Sequence, residues 1–143
     1  MSTTFHAYDL WDVIIAILTP VLPTYREFVA QASLPFAQIV QHGSTYTHFS
    51  RSESQHTCVV SEGTFEVNIY AETLHDTRRL TNSVRAKLDL FASPITYSEG
   101  RLMAMQPGGG VFLPELTTGP ESPTVFHSRI LVEYSEQRTM AIY

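Results

Sequence analysis

The sequence predicts an α+β protein, with a mixed or antiparallel sheet of about four to five strands and helices packed on one face. Three segments lead to this fold class: a strand that runs straight into a helix at residues 63–91, an apolar N-terminal helix, and an alternating strand at residues 125–136. A chain of 143 residues is long enough to bury a core, so we expect a single domain over residues 1–143.

The first element is predicted to be a helix from about Tyr8 to Thr19. Its apolar residues form one wide stripe that comprises Leu10, Trp11, Ile14, Ile15, Ile17, Leu18, Val21 and Leu22. The apolar run is 13 residues long and contains Asp12, whereas a membrane span needs about 20 apolar residues, so we expect a buried helix and no membrane contact. A second short helix, about Thr24 to Ala32, follows from the helical spacing of Tyr25, Phe28 and Val29.

The middle of the chain begins with a predicted strand at residues 34–41. The polar, Ser/Thr-rich segment at about 42–57 fits either a mobile loop or the tip of a long hairpin. The polar residues 61–63 then interrupt the apolar pattern, which indicates a bulge or a turn.

Residues 63–91 carry the clearest patterns. Alternating apolar residues at 65, 67, 69 and 71 predict a half-buried strand, and Thr73 followed by Asp76 predicts a helix start. Leu80, Val84, Leu88 and Phe91 then fall on one helical face. We therefore expect a strand–helix unit that packs against a sheet.

The remainder is predicted as a strand at residues 98–106, a turn at the PGGG sequence, and a closing strand. A Pro-rich extended loop at about 107–125 is expected between them because three prolines follow residue 113. One face of the closing strand carries Phe126, Ser128, Ile130, Val132 and Tyr134.

Composition and motifs point away from chemistry. The net charge is −5 and the chain has no run of Lys or Arg, which argues against tight nucleic-acid binding. None of the six histidines forms an HExxH pair, a single cysteine cannot build a thiolate site, and the PGGG segment lacks the GK[ST] ending of a phosphate-binding loop. We therefore predict no enzymatic activity, no cofactor and no metal.

Two segments contain aromatic or aliphatic side chains in polar or proline-rich surroundings, which is typical of partner-contact surfaces. The candidate interface residues are Tyr46, His48, Phe49 and Arg51 in the polar segment, and Phe112, Leu113 and Leu116 in the proline-rich one. An ordinary mobile hairpin explains the first segment equally well, and the second is also compatible with a cover over the core.

The order of elements resembles the tail terminator proteins of long-tailed bacteriophages, also called tail completion or head–tail joining proteins. The resemblance rests on LWDVIIAIL, LPFAQIV, FEVNIYAET with LTNSVRAKLDLF, and VFHSRILVEY, and it covers Leu10 to Tyr134. Residues 20–32 and the prolines at 114, 120 and 123 depart from the family pattern.

The resemblance implies a virion subunit that assembles in the host cytoplasm and closes with copies of itself into a ring, expected to be a hexamer. Its partners would be the tail tube protein and the head–tail connector or stopper protein, with DNA passing through the lumen without specific binding. Two alternatives stay open: a connector or stopper of the same neck, and a small histidine-bearing enzyme or ligand-binding domain.

Overall fold

The computed structural model describes residues 3–4, 6–26, 33–51, 56–90, 94–98, 100–116 and 125–141. In chain order its elements are β1 (Thr3–Thr4), α1 (Leu10–Leu18), β2 (Thr24–Tyr25), β3 (Phe36–Arg51), β4 (His56–Ala71), α2 (Leu74–Leu90), β5 (Ile95–Thr96), β6 (Gly100–Leu116) and β7 (Val125–Ala141). The strand–helix unit predicted at residues 63–91 is confirmed by β4 and α2.

The strands form one mixed sheet in the order β1-β5-β6-β7-β4-β3-β2. The four long strands β6, β7, β4 and β3 pair antiparallel, whereas the short pairs β1–β5 and β2–β3 are parallel. The predicted count of four to five strands is wrong, because the described residues form seven. Three of these have only two residues each, which is too short to show a period in the sequence.

One face of the sheet, here called the covered face, packs against both helices. Its alternating residues and the apolar sides of α1 and α2 form one buried cluster. Trp11 of α1 lies edge-on to Phe65 of β4 and Tyr134 of β7, with ring centroids 5.5 and 5.8 Å apart. Leu80 and Val84 of α2 are buried in the same cluster, so both helices lie on one side, as predicted.

Side-chain caps fix where the two helices begin. The Asp9 carboxylate accepts a hydrogen bond from the backbone N–H of Asp12 at 2.9 Å. The Thr73 hydroxyl accepts one from the backbone N–H of Asp76 at 3.0 Å, which confirms the predicted start of α2. Within the described residues, neither helix has the length and apolar character that a membrane crossing requires.

The predicted second helix is wrong at its start. Thr24 and Tyr25 form β2 and pair in parallel with Ala37 and Gln38 of β3. The edge of β3 supplies backbone partners there, and these override the helical spacing of a few aromatic residues. Residues 27–32 of that predicted helix lie outside the described residues.

The predicted turn at the PGGG sequence, residues 107–110, is also wrong. This sequence continues β6 along β7, with register shifts between Leu102 and Ala104, Pro107 and Gly110, and Leu113 and Leu116. Bulges let an outer strand contain proline and glycine because fewer of its backbone groups must pair. The proline-rich segment is therefore a strand as far as Leu116, and residues 117–124 lie outside the described residues.

The polar segment at 42–57 extends two paired strands, as in the hairpin interpretation. Residues 42–51 belong to β3 and residues 56–57 to β4, with 52–55 outside the described residues. The interruption at residues 61–63 is no turn, because β4 is continuous there. The bulge lies opposite, between Gln41 and Ser44 of β3, and a Cβ on Gly63 would come within 2.8 Å of the Ser44 Cβ.

Candidate functional site on the open face and edges of the sheet

The second face of the sheet, here called the open face, carries the residues that alternate with the core. On β3, β4 and β7 these are Phe36, Gln38, Val40, Glu62, Thr64, Glu66, Asn68, Tyr70, His127, Arg129, Leu131 and Glu133. Leu131 is 47% exposed, which is unusual for a leucine in a central strand. The open face is thus a mixed polar and aromatic surface.

An aromatic row crosses this face from edge to centre. Phe36, Tyr70 and His127 occupy directly paired positions on β3, β4 and β7. The rings of Phe36 and Tyr70 stack with centroids 4.9 Å apart, and those of Tyr70 and His127 with centroids 4.4 Å apart. Tyr25 of β2 meets Phe36 edge-on at 6.2 Å. Such cross-strand stacks fix strand register on the face that lies opposite α1 and α2.

Next to the aromatic row, Glu66 contacts three polar side chains. The Asn68 amide donates to one carboxylate oxygen at 3.0 Å, and His42 Nε2 lies 3.2 Å from the other. Arg129 reaches the same oxygen at 3.7 Å. Burial raises the pKa of the Glu66 carboxyl, but these hydrogen bonds and the Arg129 charge lower it by more, so the pKa lies below its usual 4.5. Glu66 is therefore ionised at neutral pH.

Asn68 links the Glu66 cluster to the aromatic row. Because its amide nitrogen donates to Glu66, its carbonyl oxygen accepts from His127 Nε2 at 2.8 Å. Burial lowers the pKa of the His127 imidazole below 6.5, Arg129 lowers it further, and Glu66 offsets this only in part. His127 is thus neutral at pH 7 and carries its proton on Nε2.

The polar groups of the open face bond to one another across strands. Glu66 and Asn68 of β4 and His127 of β7 form a chain of hydrogen bonds that joins these two neighbouring strands. Among the residues that the structure describes, no group of three or more His, Cys, Asp or Glu side chains is placed to hold a metal ion.

Within the described residues, each long outer strand of the sheet is paired on its outer side over only two residues. Among the described strands, β2 covers only Ala37 and Gln38 of β3, and β5 covers only Arg101 and Leu102 of β6. None of the described strands therefore pairs with the outer side of residues 39–51 or 103–116. Such edges present unpaired backbone groups to a further strand.

A groove lies where the edge of β3 becomes open. This edge groove has a volume of about 620 Å³ and is lined by Trp11, Ile15, Thr24, Tyr25, Arg26, Ile39 and Gln41. Its walls are mainly apolar, and Arg26 at its rim is held by Asp9 at 3.4 Å. A second cavity of about 460 Å³ crosses β4, β6 and β7 and includes Glu62 and Glu133.

The sequence-predicted interface residues fall on the two edge strands. Tyr46, His48, Phe49 and Arg51 lie on β3, where they are in register with Ser61, Val60, Val59 and Thr57. Phe112, Leu113 and Leu116 lie on β6, in register with Ser128, His127 and Val125. Two strands separate β3 from β6, so the two groups are not together within one copy. Their side chains lie outside the described part of the structure.

Sequence reasoning did not identify the open face as a candidate functional surface. The alternation of Thr64, Glu66, Asn68 and Tyr70 was visible, but it identifies only a solvent-side row of one strand. The partners Phe36 and His127 lie 34 and 57 positions from Tyr70, so only the strand order brings them together. The edge groove was missed for the same reason.

Comparison with known proteins adds little to this picture. No protein-family model matches the chain, and no curated protein matches it. Among solved structures, a chain from the virion of a native gene transfer agent (GTA) particle is similar with a TM-score of 0.39 and 12% sequence identity. The match covers 87% of this chain and 84% of that one.

Proposed function

We propose that this protein is a structural subunit of a phage-like virion, namely the tail terminator, and that it acts by contact and not by catalysis. In this role copies close into a ring, expected to be hexameric, that caps the tail tube and joins it to the head connector. The order of elements from Leu10 to Tyr134, which resembles the tail terminator family, supports the proposal.

The observation that carries the proposal is the direction of the two long outer strands. β6 and β3 run in opposite directions, because three antiparallel pairings separate them. When a second copy is placed beside the first by rotation about an axis parallel to the strands, its strands point in the same directions as those of the first copy. Its β3 therefore meets the first copy's β6 antiparallel, as in every long pair of the sheet. Such a head-to-tail contact closes into a ring when the rotation is suitable.

The open face suits the wall of a DNA passage in that ring. When strands close into a barrel, one sheet face turns inward, and the bulkier helix layer has more room outside. The open face presents Glu62, Glu66 and Glu133, while Arg129 is paired with Glu66. An excess of carboxylates repels phosphates, so DNA would pass without being held.

The test of this function uses the protein together with tail-tube subunits of the same particle. We expect rings at tube ends by electron microscopy, and tubes that stop growing once the protein is added. Uncapped tubes of unchanged length would contradict the terminator role. Binding to the head connector alone, with no effect on tubes, would assign the protein to the connector or stopper of the neck.

A further inference from the structure

We propose that a strap at the start of β6 opens from the sheet as one unit, and that the hydrogen bond between Tyr97 and Glu136 is its latch. The strap consists of β1 together with residues 95–98, which comprise β5, Tyr97 and Ser98. It is a feature of the single copy and is independent of the ring proposed above. The strap covers the outer side of Arg101 and Leu102, the two β6 residues with which β5 pairs.

Strand pairing holds the strap to the sheet over a short length. β5 pairs with β6 at two positions, and β1 pairs with β5 at two positions. The Ser98 N–H donates to the Ala7 carbonyl at 2.9 Å, which links the end of the strap to the segment that follows β1. The central strands are attached over a much greater length, since all sixteen residues of β4 pair with β7. Segments with few backbone pairs open more readily than such a centre.

Tyr97 anchors the strap beyond the strand that lies next to it. The turn between β5 and β6 is closed by two hydrogen bonds, from the Tyr97 N–H to the Gly100 carbonyl at 3.0 Å and from the Gly100 N–H to the Tyr97 carbonyl at 3.3 Å. The Tyr97 side chain is buried, and its hydroxyl donates to the carboxylate of Glu136 on β7. Because β6 lies between β5 and β7, this bond ties the strap directly to a central strand.

The burial of Glu136 makes this bond costly to lose. Glu136 is 7% exposed, and Arg138 Nε lies 3.5 Å from its other carboxylate oxygen. A Cβ on Gly100 would come within 2.9 Å of the Arg138 Cγ, so the turn lies directly against this ion pair. While the strap is closed, a carboxylate that lost the Tyr97 donor would stay buried with one bond fewer. When the strap is open, water reaches that oxygen, so loss of the Tyr97 hydroxyl should favour opening.

Opening of the strap leaves the long strands able to stay paired. The pairings β6–β7, β7–β4 and β4–β3 contain no strap residue. The large side chains that opening removes from the core are Ile95 and Tyr97, which are 1% and 4% exposed. The open state is therefore a local one, with the strap in water and the rest of the sheet in place, and it differs from global unfolding.

The variant Tyr97→Phe tests the latch, because it removes the hydroxyl and keeps the ring in the core. Hydrogen–deuterium exchange followed by mass spectrometry measures the opening of each segment separately. In the unchanged protein, amides of residues 95–98 should exchange faster than those of residues 65–69 in β4, after correction for their intrinsic rates. In Tyr97→Phe, we expect residues 95–98 to exchange at least about tenfold faster than in the unchanged protein, since a buried carboxylate has lost a donor.

The matched control is Tyr134→Phe, which removes the hydroxyl of a second buried tyrosine on the covered face. That hydroxyl bonds to Ser44 of β3, so its loss weakens the closed and the open state of the strap equally. Exchange of residues 95–98 should therefore stay within about twofold of the unchanged protein, while residues 65–69 exchange faster. In a Glu136→Gln background, Tyr97→Phe should change strap exchange less, because a neutral amide loses less with its donor than a carboxylate does.

Each outcome bears on one part of the proposal. Equal exchange of residues 95–98 and 65–69 in the unchanged protein, with both accelerated alike by Tyr134→Phe, would mean that the strap opens only when the whole fold does. Strap exchange that is unchanged in Tyr97→Phe would overturn the latch. An effect of Tyr97→Phe that is as large in the Glu136→Gln background would assign the stabilisation to a group other than Glu136. Fast strap exchange in Tyr97→Phe alone would support both the strap and its latch.

Discussion

The two faces of the sheet are built from the same strands but are stabilised by different interactions. On the covered face, buried apolar residues of β4 and β7 pack against two helices. On the open face, the aromatic row and the Glu66 cluster connect strand to strand. The covered face thus stabilises the individual fold, whereas the open face fixes strand register while remaining available to surroundings outside the chain.

The largest effect should come from the covered face. Phe65 is fully buried and contacts both Trp11 and Tyr134. Phe65→Ala is expected to lower the free energy of unfolding by about 3–5 kcal/mol, because it removes the ring and leaves a cavity. Urea unfolding followed by circular dichroism measures this loss. A loss below about 1 kcal/mol would mean that the helix layer is not tightly packed on β4.

The same kind of truncation on the open face should cost less. Tyr70→Ala removes the central ring of the aromatic row, which is half-buried and stacked on both sides. We expect a loss of about 2 kcal/mol, since each aromatic pair contributes about 0.5–1.5 kcal/mol beyond its burial. Tyr70→Phe is the matched control and should retain most of the stability. An equal loss in both variants would contradict a role for stacking.

The covered face also contains one buried pair of polar side chains, which is an exception to its apolar packing. The Thr81 and Ser128 hydroxyls lie 2.6 Å apart and join α2 to β7, while Thr81 also donates toward the Thr77 carbonyl. Thr81→Val should cost about 1–2 kcal/mol, because Ser128 loses its buried partner. In the double variant that also carries Ser128→Ala, the loss of unfolding free energy should be smaller than the sum of the losses in the two single variants. Full additivity in denaturant melts would show that the hydroxyls do not interact.

The smallest expected effect is a pH dependence from the open face. The pKa of His127 lies below 6.5 in the fold, so the folded protein favours the neutral imidazole. As the pH falls, His127 is protonated in the unfolded chain at a higher pH than in the fold. The free energy of unfolding therefore decreases as the pH falls below 6.5. Glu66, whose pKa lies below 4.5, adds a second loss as the pH falls below that value.

The variant His127→Gln separates the contribution of His127 to this pH dependence from that of Glu66. It should flatten the decline in unfolding free energy just below pH 6.5 and leave the decline below pH 4.5 in place. Urea midpoints across this pH range provide the measurement. A decline that is unchanged in His127→Gln would assign it to other titrating groups.

The covered face and the strand–helix unit could be predicted from sequence, because burial leaves a period of two or 3.6 in the residues themselves. The alternation through Phe65 and Val67 and the spacing of Leu80 and Val84 identified β4, α2 and the side that each buries. The two-residue strands could not be predicted, since their backbone partners lie elsewhere in the chain. The same holds for the stack of Phe36 on Tyr70, which depends on strand order.

The candidate interface residues could also be predicted only in part. The sequence placed Phe49 and Phe112 in segments rich in polar residues or proline, but gave no reason to place them on opposite edges of one sheet. That arrangement follows only from four long strands in alternating directions. The proposed contact thus changes from a loop or hairpin tip and a Pro-rich extended loop to a pairing between two strand edges.

Native mass spectrometry of the purified protein, alone and with tail-tube subunits, tests the central claim most directly. Outer strands of opposite direction should join copies into one closed species, expected to contain six copies, with no series of larger open chains. A single-copy species at every concentration, including in the presence of tubes, would contradict the claim that these edges exist to bind one another.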